Sequence, residues 1–273
     1  MEVVHAMDKN RNRSQADYKS RVPKDAYLTQ SKLPWGNHHL RILPGRKNDP
    51  WKFWAQAWIH FVSVNGQKRQ MQCMVQTPAD DESGCPICNF ANELTAVEKR
   101  KPKEFRNYKF INDVSRKLNV WLQVLYLDNP NSHNVVTQEG QFWFPKIWSP
   151  SNSIWEMITE RFLETNFVDL DAGANITLVK YQDEKLHQPR YSAQFDGTSP
   201  VDPSYRPVVD PNSPQCALVD LVSLVPNWKL SDLQSAVAGM EQNLTGGGTA
   251  RPYPQQQQGY AQAPQNPYPQ QQQ

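Results

Sequence analysis

Cysteine is scarce, with four in 273 residues, and nothing at the N-terminus has the form of a secretory signal. A disulfide framework is therefore not expected, and reduced thiols fit a cytoplasmic setting. No apolar run approaches the roughly 20 residues that a membrane helix needs. Net charge is also small: 29 basic and 27 acidic residues leave only +2, so partners must be read from how charge is distributed. Apolar residues make up 38% of the chain, yet nine Trp, ten Tyr and ten Phe are present. A chain of low hydrophobicity with that many rings has some to place on a surface. Twenty-two prolines imply several irregular stretches.

Three of the four cysteines crowd into residues 73–88, in the pattern His60-x12-Cys73-x11-Cys85-Pro86-Ile87-Cys88. Cys85 and Cys88 form a C-x2-C knuckle whose turn can present both sulfurs to one ion. His60 and Cys73 would come from two extended runs joined at Asn65-Gly66. Three thiols and one imidazole fill a tetrahedral zinc shell and leave no open position, so one structural zinc is expected. The alternative is a set of buried free thiols beside an unrelated histidine.

Residues 8–24 are basic and polar without hydrophobic period, read as a solvated arm or as one that docks on a partner or nucleic acid. Strands are expected at 39–43 and 53–64. In the second, Phe53, Ala55, Ala57, Ile59 and Phe61 alternate with Trp54, Gln56, Trp58 and His60, as in a half-buried strand. Residues 71–76 should pair back as a hairpin, and 89–98 should form a short helix on the metal. The most basic stretch follows. Lys99, Arg100, Lys101, Lys103, Arg106, Lys109, Arg116 and Lys117 are interleaved with Phe105, Tyr108 and Phe110. Such a run is either a solvated face or a binding surface. In the strand 118–127, Leu118, Val120, Leu122 and Val124 should face a core, with Trp121 on the polar side.

Further strands are expected at 141–147, 176–181 and 190–195. A helix should begin at a Ser153-x-x-Glu156 capping box, and Ser231 should cap a last short helix. Five prolines in 199–214 indicate a strap, and Cys216 reads as a buried free thiol. From Gly246 onward Gln, Pro, Tyr and Gly dominate and Arg251 is the only charge, the composition of a disordered tail.

Short strands with few helices point to a mainly β fold: an OB-type barrel with a zinc-stapled subdomain, a few short helices and disordered termini. The expected division is a basic arm at 1–32, a core at 33–240 with the zinc subdomain at about 60–100, and a tail at 241–273. Trp54, Trp58 and Trp121 on polar strand faces, beside the basic aromatic run 99–117, suit the stacking platforms and phosphate neutralisation of single-strand binding.

On these residues the chain resembles the zinc-containing single-stranded DNA-binding, helix-destabilising proteins of T-even-type phages. The metal pattern carries the resemblance, with Arg116-Lys117-x3-Trp121, the Asp128-x-Pro130 turn, Phe144-x2-Ile147-Trp148 and, less strongly, Gly173-x-Asn175-Ile176 and Tyr191 to Phe195. It spans about residues 35–235. It implies zinc on His60, Cys73, Cys85 and Cys88, and a DNA cleft lined by Arg116, Lys117, Trp121 and Tyr191. Arg11, Arg13 and Ser14 are similar to the arm motif through which one bound copy grips the next. Nothing acidic follows Glu241, whereas the family ends in an acidic, partner-recruiting tail.

The function expected is a non-enzymatic, sequence-tolerant single-stranded DNA binder. It would coat replication, recombination and repair intermediates cooperatively in the cytoplasm of a phage host, alongside neighbouring copies and replication proteins. An RNA-binding or transcription-associated zinc protein with the same barrel is the alternative. A zinc nuclease is disfavoured, because the metal shell is closed and no Gly-rich phosphate loop or paired carboxylates stand near it.

Overall fold

The computed structural model describes residues 22, 24–46, 52–64, 66–75, 84–137, 140–164, 167–183 and 187–245. Arg11, Arg13 and Ser14 lie outside them, as do the 80–84 turn before Gly84 and the tail from Gly246.

Strand β5 (Lys117–Tyr126) is the hub. Its residue Leu122 pairs on one edge with Trp54 of β3 (Trp54–Val64) and on the other with Trp148 of β8 (Lys146–Trp148). Two residues further on, Val124 pairs with Ile42 of β2 (Gly36–Ile42) and again with Lys146. The edge opposite β8 is thus shared by β3 and β2, and the sheet branches there. One branch runs through β2 to β9 (Ala174–Gln182) and β10 (Pro189–Thr198). The other runs through β3 to its hairpin partner β4 (Gln67–Gln72), with Gly66 at φ 74° in the turn, a left-handed value that favours glycine. On the far edge β8 pairs in parallel with β1 (Tyr27–Leu28). β6 (Asn134–Thr137) and β7 (Gly140–Trp143) make a separate two-stranded ladder.

Each branch has its own core. Leu40, Ile42, Val120, Leu122, Val124, Ile176 and Leu178 meet Ile154, Trp155 and Ile158 of helix α3 (Asn152–Glu164), whose i, i+1, i+4 spacing puts these three side chains on one face. The β3–β4 branch is covered by α1 (Pro86–Arg100), α2 (Lys109–Val114) and α5 (Leu230–Thr245). Gly239 lets α5 approach β3 closely, since a Cβ there would sit 2.9 Å from Val64 Cγ1. The proline-rich strap carries the short α4 (Arg206–Val209), and the segment that follows it is held by Gln123. Its amide donates to the Val219 carbonyl at 2.9 Å and accepts the Val219 N–H at 2.8 Å, as a strand neighbour would.

The expected mainly β, OB-type barrel is not what the chain builds. Helix and strand contribute comparably. Among the described residues β10 pairs only with β9 and β4 only with β3, so the sheet stays open. The physical reason is the branch at β5. The face that barrel closure would bury is covered instead by helices, two of which the sequence reading missed or shortened. α2 lies hidden inside the basic run, and α5 runs to Thr245.

The half-buried pattern expected for β5 is corrected as well. Val120, Leu122 and Val124 do face the α3 core, but Trp121, Gln123 and Leu125 are also buried. Trp121 is 3% exposed and packs with Ala55, Ala57, Ile59 and Ile147 under Leu221 and Leu224. In β3 the buried face changes at its far end: Phe61 is 38% exposed while Val62 and Val64 are buried, because the helices of the zinc branch cover the even-numbered side. Cys216 is half-buried, not buried. α3 starts at Asn152, with the Trp155 N–H donating to the carbonyl of Ser151, which stands in the cap position two residues ahead of the expected Ser153.

Candidate metal centre and basic surface

His60 lies on β3 opposite Met71 of β4, and Cys73 follows the last residue of β4. The Cys73 N–H continues the hairpin by donating to the Trp58 carbonyl at 2.8 Å. Cys85 caps the N-terminus of α1 in an extended conformation, Pro86 opens the helix, and Cys88 sits in its first turn. Proline suits that first helical position because its φ is preset and no N–H is needed there. The knuckle is thus a cap and a helical turn, and it brings both sulfurs to the hairpin.

The four ligand atoms lie within 4.8 Å of one another, and all four side chains are buried. Cys85 Sγ is 3.4 Å and Cys88 Sγ 3.7 Å from His60 Nε2, and Cys73 Sγ is 3.5 Å from Cys88 Sγ. Tetrahedral zinc, with bonds of about 2.3 Å to sulfur and 2.0–2.1 Å to nitrogen, separates its ligands by roughly 3.5–3.8 Å. His60 Nδ1 lies 2.8 Å from the Val114 carbonyl, which can only accept, so Nδ1 carries the hydrogen and Nε2 presents its lone pair to the cluster. Among the protein groups alone, burial works against a charged His60, and the adjacent thiols of Cys73 and Cys85 outweigh it and raise the ring to about 9. Hydrogen bonding with Cys73 pulls the Cys85 thiol down and pushes the Cys88 thiol up. Three thiols this close ionise together only around a cation. The donor set fits one structural zinc with no open position.

The basic run encloses this centre. Lys99 and Arg100 form the last turn of α1, where cations complement the helix dipole. Lys101 pairs with Glu98 at 2.6 Å, and Arg106 donates to the carbonyls of Lys101 and Lys99 at 3.0 Å each. Lys103 and Lys109 are exposed, and the Phe105 ring is 55% exposed. Tyr108 and Phe110 turn inward against the zinc core.

At the end of the run the consecutive cations Arg116 and Lys117 each pack on a ring of β3, and because side chains alternate along the strand the two pairs lie on opposite faces of it. The Arg116 guanidinium lies 5.0 Å from the Trp58 ring centroid, and Lys117 Nζ lies 5.9 Å from that of Phe61. Register places Lys117 opposite Ile59, between the two rings in sequence.

The other candidates sit elsewhere. Trp54 packs on Phe53, Trp155 and Phe162 in the α3 core. Tyr191 packs against that core on β10 and donates its hydroxyl to the Gln30 carbonyl at 3.2 Å. Trp121 is interior and offers no open ring face. Sequence reasoning missed Phe61, assigned to the apolar face, and the Val114 carbonyl. Ile111 and Val114 at i, i+3 were the available signal for α2.

Comparison with protein-family models gives no match, and comparison with curated proteins gives none either. The resemblance to the phage single-stranded DNA-binding family is therefore corrected, since neither its closed OB barrel nor a family match supports it. The expected function and the OB-fold core fall with the same finding, because the cleft they assumed was lined by Trp121 on a barrel face. Among the described residues no helix is long and apolar enough to cross a membrane.

Proposed function

We propose that the chain is a non-enzymatic, zinc-stapled binding module whose cationic entry into β5, at Arg116 and Lys117, holds the phosphodiester backbone of a nucleic acid. The observation that carries this reading is that two consecutive cations at the start of β5 are each held against a ring of β3, Arg116 on Trp58 and Lys117 on Phe61. A cation packed on a ring is held in place and partly shielded from water, which strengthens its charge towards an anion. Lys99, Arg100, Lys103 and Lys109 extend the positive strip around the zinc branch, and the exposed ring of Phe105 gives it an apolar contact. The proposal involves no barrel cleft, and Trp121 has no part in it. The closed metal shell supplies no site for chemistry.

Titration with single-stranded and duplex oligonucleotides over a range of salt concentrations tests it. Affinity should fall as salt rises. On a single strand the logarithmic salt slope should drop by about 0.7 for each phosphate that Arg116→Ala or Lys117→Ala leaves unneutralised. Affinity that is independent of salt, or unchanged in both variants, refutes the reading. Labelled strands incubated with magnesium should remain intact.

A further inference from the structure

The metal centre and the cation pair share one short segment of chain. β3 carries Trp58 and His60 with their side chains on the same face. His60 uses Nδ1 to hold the Val114 carbonyl at 2.8 Å. Val114 ends α2, and β5 starts three residues later at Lys117, which pairs with Ile59. Segment 114–117 is therefore pinned at both ends to the two β3 residues Ile59 and His60, and Arg116 lies between the pins with its guanidinium over Trp58. Trp58 is in turn bracketed by ligands. His60 is two residues along its own strand, and Cys73 donates its backbone N–H to the Trp58 carbonyl.

We propose that the His60–Val114 hydrogen bond makes the metal centre the positioning device for Arg116 and Lys117, so that metal loading sets the grip on phosphodiester. The inference rests on the reading proposed above. A metal-bound imidazole has a fixed tautomer and a fixed ring plane, and coordination makes the remote N–H a better donor. With zinc on Nε2, Nδ1–H stays aimed at Val114 and the 114–117 segment is immobilised. Without zinc the ring can rotate or exchange tautomers, and Arg116 loses its fixed place over Trp58. His60 is thus a metal ligand and also a positioning residue for a surface it does not itself form.

Two experiments test the coupling, with a single-stranded oligonucleotide as probe and amide hydrogen exchange at 115–117 as a readout independent of binding. The first uses His60→Cys, which offers zinc a fourth thiolate but removes the donor to Val114. If the variant holds one zinc, the salt slope should fall by about 1.4, equivalent to two neutralised phosphates, and exchange at 115–117 should accelerate. One zinc together with wild-type slope and wild-type exchange overturns the proposal.

The second applies if that variant fails to hold metal. It compares the wild type and an Arg116→Ala/Lys117→Ala double variant, each zinc-loaded and chelated, as a cycle. Because metal removal also melts the helices that carry the other cations, the slope should fall in both, and the decrease should be larger in the wild type by about 1.4. Equal decreases in both mean that zinc acts through general folding, and the positioning role falls. If the zinc-loaded wild type does not bind the oligonucleotide at all, the phosphodiester reading fails on its own. Exchange at 115–117, faster on chelation or not, then decides the positioning of the segment alone.

Discussion

Removing the metal should unfold one branch of the molecule and spare the other. The four ligands are buried in the core that β3 and β4 share with α1, α2 and α5. The α3 core is a separate cluster built on β2, β5 and β9. Structural zinc contributes about 10–16 kcal/mol of apparent binding free energy in small zinc-finger peptides near neutral pH, while a whole domain is stable by only about 5–15 kcal/mol. The zinc branch cannot absorb that loss, and its three helices should melt together. Chelation followed by circular dichroism and tryptophan emission measures the effect. Helical signal should fall, with Trp58 and Trp228 moving into water, while the emission of Trp148 and Trp155 persists. Cys85→Ser should reproduce the change, and Cys216→Ser, outside the cluster, should not. Freshly purified protein containing no zinc, or a stripped protein with an unchanged melting curve, would refute the reasoning.

Three other outcomes follow from the packing. Trp121→Ala should destabilise the fold by about 3–5 kcal/mol, since the ring fills a core under Leu221 and Leu224; a denaturant midpoint equal to that of wild type would put the ring outside the core. Gly173→Ala should be strongly destabilising by thermal melting, because an added Cβ would stand 2.3 Å from the Asp169 and Phe167 carbonyls and 2.7 Å from the Arg41 guanidinium. His133 is buried and accepts the Tyr126 N–H at 2.9 Å, and burial, reinforced by Lys146, lowers it to about 4. The stability it contributes is fully present above its unfolded value near 6.5 and is lost as pH falls through that value towards 4, about 3 kcal/mol in all. His133→Gln, which keeps an acceptor for Tyr126, should flatten the pH dependence of urea unfolding in that window; an unaltered slope assigns it to other groups.

The metal centre was legible because zinc chemistry constrains residue type and local spacing, and both are written in the chain. Cys85-Pro86-x-Cys88 encodes a cap and a helical turn, and the alternation of β3 encodes the hairpin that delivers His60 and Cys73. The long strands were legible for the same reason, since period-two alternation is local, but the short β1 and β6 were not, β4 runs Gln67–Gln72 and not 71–76, and the single strand expected at 141–147 is two, β7 and β8. Architecture was not. Whether a sheet closes depends on which edges meet, and no local pattern in Lys117–Tyr126 announces that β2, β3 and β8 all pair with it. The fate of Trp121 turned on the same fact. Alternation placed it opposite Val120 and Leu122, as it is, but the segment around Leu221 and Leu224, a hundred residues away in sequence, covers that second face. Trp54 and Trp58 share one side of β3, and tertiary packing alone separates them: α3 takes the first into its core, while Arg116 lies over the second. The sequence by itself determined which residues bind the metal. Only the tertiary structure decided which rings and cations stand at the surface, because exposure depends on the element packed above a residue and not on the residue's place along its strand.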